Sequence, residues 1–319
     1  MSQTYAAGSV GAGTATSLAR LTPRRMLQLA LGVIWLLDGI LQYQAFMYGK
    51  AFPQMLASSA AGNPAVLATP ITWNASFIAH NLAACNTTFA TIQVAIGLGI
   101  AWRPAVKPAL AASVVWALGV WWFGEGFNGI LTSSGSSPVA GAPGAVIIYA
   151  LLAVLLWPSD REAPFEAARA VGRRTAQALW LILWASLAYF ALLPASRAPH
   201  AISQAISGMA SGEPGWLGWI DSHAASALSG HGLAASIVLA VACGIVALGT
   251  YLPPGIARAT VVLAIVVAAA LWLAEGLGGI FTSSGTDPNS GPLLALLALT
   301  FWPVHSTFEQ KAIKQKEGA

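Results

Sequence analysis

The sequence is short of charge. Only 8% of its 319 residues are Asp, Glu, Lys or Arg, about a third of the ~25% usual in soluble domains. That deficit excludes an ordinary soluble enzyme and a disordered chain, which needs charge to stay solvated. It also excludes a nucleic-acid partner. The formal net charge of +4 comes from 15 Lys and Arg against 11 Asp and Glu, scarce basic residues that form no basic face. Cysteine is nearly absent. Cys85 and Cys243, without C-x-x-C spacing, exclude a disulfide scaffold, a zinc ribbon and a thiol-redox enzyme. The P-loop, G-x-G-x-x-G, H-E-x-x-H, C-x-x-C-H and paired-histidine haem patterns are missing as well. With no catalytic motif, the chain reads as not an enzyme on its own.

What is present is apolar: 56% hydrophobic residues with 32 glycines and 13 tryptophans. The partner this composition demands is a lipid bilayer. A hydrocarbon core about 30 Å thick takes about 20 helical residues to cross. Eight apolar segments meet or approach that length: 26–46, 78–101, 105–126, 142–157, 175–195, 224–250, 256–278 and 289–302. They lack the alternation of outer-membrane strands, so helices are the expected spanning elements. Met1 to Arg25 is rich in Gly, Ala, Ser and Thr and reads as a disordered tail. The first span carries Asp38 and no small-residue cleavage site follows it, so a retained anchor is expected rather than a signal peptide.

Thirteen of the fifteen basic residues fall before span one, between spans two and three, in the central linker, between spans six and seven, or in the tail; only Lys50 and Arg197 fall on the other side. By the positive-inside rule both termini and the linker are cytoplasmic, in a multi-pass protein of the cell (inner) membrane. Trp102, Trp157 and Trp302 at one side and Trp73, Trp216 and Trp219 at the other fit interfacial belts.

One segment occurs twice. Glu125-Gly-Phe-Asn-Gly-Ile-Leu-Thr-Ser-Ser-Gly135 with Pro138 recurs as Glu275-Gly-Leu-Gly-Gly-Ile-Phe-Thr-Ser-Ser-Gly285 with Pro288, at a constant offset of 150. His80-Asn-Leu-Ala-Ala recurs as His231-Gly-Leu-Ala-Ala, Gly62-Asn-Pro as Gly212-Glu-Pro, and both halves end on Trp-Pro, at Trp157 and Trp302. Ordered matches of this kind indicate an internal repeat. Each half holds four spans, an even number, so both insert the same way up, as parallel rather than inverted repeats.

The expected fold is therefore all-α and integral to the membrane, with eight transmembrane helices as two tandem four-helix bundles in parallel orientation. Its segments are a cytoplasmic tail (1–25), a first repeat (26–158), a linker (159–174), a second repeat (175–303) and a cytoplasmic tail (304–319). The linker's charges read as a solvated face. The stretches 47–77 and 196–223 hold amphipathic pieces, Ala51–Ser59 and Ala201–Met209, expected as short interfacial helices. Spans four and eight are short. Either the preceding Thr-Ser-Ser-Gly loop dips into the bilayer, or the helix extends through it, or the bilayer thins.

Ionisable residues inside a membrane cost about 2.5–3.5 kcal/mol each and are functional candidates by default. Topology places Asp38, His80 and Glu125 at similar depth in the outer half of the first bundle. The second keeps His231 and Glu275 but has Leu187 where Asp38 aligns, and adds Asp221 and His223. These five, Asp38, His80, Glu125, His231 and Glu275, are the ligand or proton-site candidates, with the loop residues Thr132, Ser133, Ser134, Thr282, Ser283 and Ser284 beside them. A His with carboxylates suits a divalent metal, which makes His80, Glu125, His231 and Glu275 the metal candidates. Similar groups hydrogen-bond a quinone. The competing role for each Glu is to cap the Gly-rich turn after it.

Span one reads Leu31-Gly-Val-Ile-Trp-Leu-Leu-Asp-Gly39, and the Gly-rich second span, Val94 to Ile100, turns at Arg103-Pro104. In these features each half resembles the DoxX-like four-helix membrane proteins. The E-G-x-x-G-I-x-T-S-S-G element is similar to one found in actinobacterial membrane proteins without a described activity. The DoxX-like resemblance implies a redox- or quinone-associated accessory subunit, working with a redox partner or other membrane subunits. Two other classes stay open: a small-cation or proton-coupled transporter with an acidic outer cup, and a structural subunit of a membrane complex.

Overall fold

The computed structural model describes residues 21–132, 136–209 and 212–304. Among them every regular element is helical. The helices of the first half are α1 (Pro23–Leu41), α2 (Ala51–Ser58), α3 (Ala65–His80), α4 (Leu82–Ala101), α5 (Val106–Phe123) and α6 (Ala145–Leu155). A short α7 (Glu166–Val171) leads to α8 (Arg173–Ala191), α9 (Pro194–Arg197), α10 (Ala201–Met209), α11 (Gly215–Leu228), α12 (Gly232–Gly249), α13 (Pro254–Ala274) and α14 (Ser290–Thr300). Four of these, α4, α5 with the turn leading into it, α12 and α13, are long and apolar enough to cross a membrane. All six tryptophans expected in interfacial belts project from the surface.

Local chemistry explains several boundaries. Thr22 caps α1 by accepting the Arg25 N–H, and Pro23 opens the helix where its missing N–H costs nothing. The expected span 78–101 is broken at Asn81, whose backbone (φ −127°, ψ 32°) leaves the helix; its side-chain amide donates to the Phe77 carbonyl at 3.0 Å. The equivalent break lies at Ser229–His231, where Gly230 has φ +79°. His80 therefore ends one helix and His231 precedes the next. The expected spans 78–101 and 224–250 are thus each divided at this point. The two amphipathic pieces do form helices, α2 and α10.

Packing is paired. In the first half α1 lies on α4 and α5 on α6; in the second α8 lies on α12 and α13 on α14. The halves meet through α6 and α14 and through α1 and α14, around one core that includes Trp35, Tyr149, Trp180, Trp184 and Phe301. α6 and α14 have only 11 residues each, roughly 16 Å of helix. The helix does not extend back through the preceding loop, which settles one of the three expectations. Instead residues 136–144 run as irregular chain, most of it buried within the protein.

The loops between α5 and α6 and between α13 and α14 cross over. The turn Pro138–Ala140 packs on α8, α10 and α13. In return Gln42, just after α1, donates to the Thr286 carbonyl at 2.7 Å and Gln44 donates to the Gly285 carbonyl at 3.1 Å. Each loop thus sits on the other half.

The linker is not uniformly solvated. Asp160, Arg161, Glu162, Arg173 and Arg174 are exposed, but Glu166 is buried. Arg24, at the start of α1, pairs with its carboxylate at 3.3 Å and donates to its main-chain oxygen at 2.7 Å. A third bond runs from Arg24 to the Trp157 carbonyl. α7 is therefore tied to the start of α1 by a buried ion pair.

Candidate functional site

The described start of the doubled segment folds the same way in both copies. Glu125 and Glu275 end α5 and α13, and each is followed by a single tight turn, Gly126–Gly129 and Gly276–Gly279. The middle residues of both turns are left-handed: Phe127 and Asn128 at φ 57° and 49°, Leu277 and Gly278 at 52° and 70°. Left-handed backbone at Phe and Leu costs about 1–3 kcal/mol per residue. Packing offsets part of this at Phe127, whose ring lies edge-on to Trp121 at 4.9 Å. Thr132 and Thr282 close the turns by donating to the Gly129 and Gly279 carbonyls at 2.8 and 2.7 Å. Those two threonines thus lock turns. Ser283 and Ser284 are exposed, and Ser133 and Ser134 lie outside the described residues.

The turns aim the two glutamates at the loop before α6. Glu125 lies against Gly144, so closely that a side chain on Gly144 would strike its carboxyl. Glu275 is 2% exposed, accepts from the Ser290 hydroxyl at 2.7 Å, and lies close to Gly141. Asp38, also 2% exposed, lies beside the Tyr149 hydroxyl. At the centre is Asp287, which interacts electrostatically with Asp38, Glu125 and Glu275. Its own oxygens accept from the Thr286 hydroxyl at 2.9 Å and the Asn289 N–H at 2.7 Å. Four carboxyl groups from both halves thus gather around one loop.

The histidines are not part of this gathering. His80 is exposed, its ring nitrogen bonded to the Ser76 carbonyl at 2.7 Å, and His231 is exposed and bonded to the Ser229 carbonyl at 3.0 Å. Among the described residues no three His, Cys, Asp or Glu side chains are arranged to hold a metal ion. His80 and His231 are exposed, whereas Asp38 and Glu275 are buried.

A pocket of about 510 Å³ opens beside the carboxyls, within the ~300–1,000 Å³ of ordinary ligand sites. Its walls are mainly apolar and aromatic, including Phe52, Ile78, Phe89, Ile92, Trp116 and Phe123. One end is polar: Asp38, Gln42, Gln93, Glu125, Thr286 and Asp287. Among the described residues no basic side chain lines it. Its lining includes the exposed Ala112 and Val115 of α5 and the exposed Met55 of α2. Gln42 is held in place from below, its carbonyl accepting from the fully buried Asn86 at 2.7 Å. Sequence reasoning missed Gln42, Gln93 and Asp287 as site residues. The available signal was the mismatch between copies, Ser136-Ser137 in one and Thr286-Asp287 in the other.

The second half carries a different acidic pair. Asp221 on α11 is 1% exposed, and the Glu213 carboxyl lies against Gly276. Asn63 occupies the matching place in the first half, donating to the Gly126 carbonyl at 3.3 Å. Burial, and then the Asp221 carboxyl, push Glu213 up to about 7, from an ordinary 4.5. Burial raises Asp221 as well. A carboxyl raised by folding holds its proton more tightly folded than unfolded. Its stabilising contribution is complete below the unfolded value and is lost as pH rises through about 7. The melting temperature should therefore fall between about pH 4.5 and pH 7 and level off above it, and Glu213→Gln should abolish most of that fall. Parallel melting curves for the two proteins across this range would dismiss the assignment. No protein-family model matches the chain, nor does any curated protein or solved structure.

Proposed function

We propose that the chain is an eight-span membrane protein that holds a lipid-soluble, quinone-type ligand and serves as a redox-associated accessory subunit. In this reading α1, α4, α5, α6, α8, α12, α13 and α14 are the spans, arranged as tandem repeats in parallel orientation with both termini cytoplasmic. The DoxX-like resemblance fits the same reading, with electrons passing to a partner because the chain has no redox thiol pair. The single observation that carries it is the pocket. An apolar cavity with carboxyls and carboxamides in its lining matches a molecule with an apolar body and a polar head, and residues of the two apolar helices α4 and α5 line it. A ligand dissolved in the bilayer would enter there without passing through water.

The four carboxyls around Asp287 favour one other reading, a proton- or small-cation-coupled transporter, since ionisable groups inside a membrane mark such paths. A small cation, however, has no use for 510 Å³ of apolar wall.

Gly119 provides the test. It lines the pocket, and a side chain built on it meets nothing within 4 Å. Gly119→Leu should fold at least as well as the parent, since Gly in a helix interior costs about 1 kcal/mol relative to Ala, and should fill the cavity. Organic extracts of the parent, purified in its own lipids, are expected to contain a stoichiometric quinone that is depleted in Gly119→Leu. An extract with no quinone above the level of the surrounding lipid, or one unchanged by the substitution, would reject the proposal.

A further inference from the structure

The hydrogen-bonding groups around the pocket are unequally used. Its donors are largely spent within the protein. Gln42 donates to Thr286, Asn74 donates to the Phe123 carbonyl at 3.4 Å, and the Thr286 hydroxyl donates to Asp287. Its acceptors are not. Among the lining residues Asp38, Gln93 and Glu125 each keep a buried oxygen with no partner, against one unpartnered donor, the Trp116 indole N–H, while the Tyr149 hydroxyl lies behind the lining beside Asp38. Two of these three side chains are more than nine-tenths buried, Asp38 at 2% and Gln93 at 7% exposure. Buried polar groups in native proteins are paired as a rule, and each exception asks for a partner.

We infer that the ligand of this pocket carries a hydrogen-bond-donating head, a hydroxyl or an ammonium group, on an apolar body, and that the pocket discriminates against the same body with an acceptor-only head. A hydroxyl both donates and accepts, so it satisfies a carboxyl oxygen whether or not the carboxyl holds its proton. A carbonyl only accepts, so it leaves the Gln93 oxygen and any ionised carboxyl unpaired, and leaving a buried polar group unpaired is the expensive outcome. An anionic head fares worse, because Asp38, Glu125 and Asp287 face one another with no basic side chain among the described lining residues. The inference rests on the proposal of a quinone-type ligand and names its form: the reduced hydroquinone, not the quinone.

The test uses the full chain in lipid nanodiscs, with a short-chain benzoquinone and its hydroquinone as one probe pair, handled without oxygen, and dodecylammonium and dodecanoate as a second. The hydroquinone should bind at least about tenfold more tightly than the quinone. For a two-electron couple this raises the midpoint potential of the bound ligand by about 30 mV. Asp38→Asn places a donor where the carboxyl was and should bring the ratio close to one by improving quinone binding. Glu125→Gln repeats the experiment from the end of α5 if Asp38→Asn fails to fold. Equal or tighter binding of the quinone by the parent overturns the inference and leaves the quinone reading standing. If neither benzoquinone form binds but dodecylammonium does, and dodecanoate does not, the donor-head inference holds and the quinone reading fails. Binding of dodecanoate as tightly as dodecylammonium, or binding of no probe at all, overturns both.

Discussion

Truncating Glu166 to alanine should be among the most damaging single changes in this protein. The substitution strands Arg24, itself 7% exposed, without its carboxylate partner at 3.3 Å. Breaking a buried ion pair by removing one member costs about 3–5 kcal/mol, because the remaining charge stays buried without compensation. The carbonyl of Trp157 still accepts from Arg24, which places the expected loss nearer the lower figure. Arg169, 3.5 Å from the same carboxylate and more exposed, has access to water and should matter far less. The double change Arg24→Leu with Glu166→Leu should recover most of the stability, since two well-packed apolar residues replace a buried pair at little cost or with a gain. Thermal unfolding of the three variants in one detergent checks this. If Glu166→Ala melts with the parent, the pair is held more weakly than its burial indicates, and the linker is the solvated face that its charge suggested.

That linker shows where the sequence was readable and where it was not. Composition gives the all-helical class, because an apolar chain with 8% charge has few other options. Hydropathy locates α4, α5, α12 and α13, and the amphipathic pieces at 51 and 201 are helices at the expected places. Boundaries set by one side chain are harder. Nothing in the periodicity around His80 says that the chain will leave the helix at Asn81, whose amide donates to the Phe77 carbonyl. The doubled Glu-Gly segment was visible as a pair, and its two turns share their backbone angles. Their destination was not visible, since crossing of the loops depends on long-range packing. Asp287, which aligns with Ser137, interacts electrostatically with Asp38 and Glu125 from 249 and 162 positions away (287 − 38 and 287 − 125). A local pattern carries no information about such a meeting.

Gly144→Ala is the second change expected to have a large effect, and it tests the loop that the carboxyls surround. Gly144 has φ +113° and precedes the first residue of α6. Its missing side chain leaves room for the Glu125 carboxyl and the Trp121 ring, and Trp121 in turn donates to the Pro143 carbonyl at 2.7 Å. An alanine there meets two separate obstacles. Left-handed backbone costs a residue with a Cβ about 1–2 kcal/mol, and forcing an atom into a filled site costs a further ~1–3 kcal/mol. Gly172, with φ +84° and open space around it, isolates the first of these. Gly172→Ala should therefore lower the melting temperature modestly and Gly144→Ala by roughly twice as much or more. Only Gly144→Ala should also weaken hydroquinone binding, because the atom that it adds displaces the Glu125 carboxyl at the polar end of the pocket. Equal losses in the two variants, with binding untouched, would show that Glu125 has room to step aside and that its approach to Gly144 is a consequence of the turn alone. A larger loss in Gly144→Ala, recovered by shortening the neighbour in Gly144→Ala with Glu125→Ala, would identify the carboxyl as the atom that the glycine makes room for.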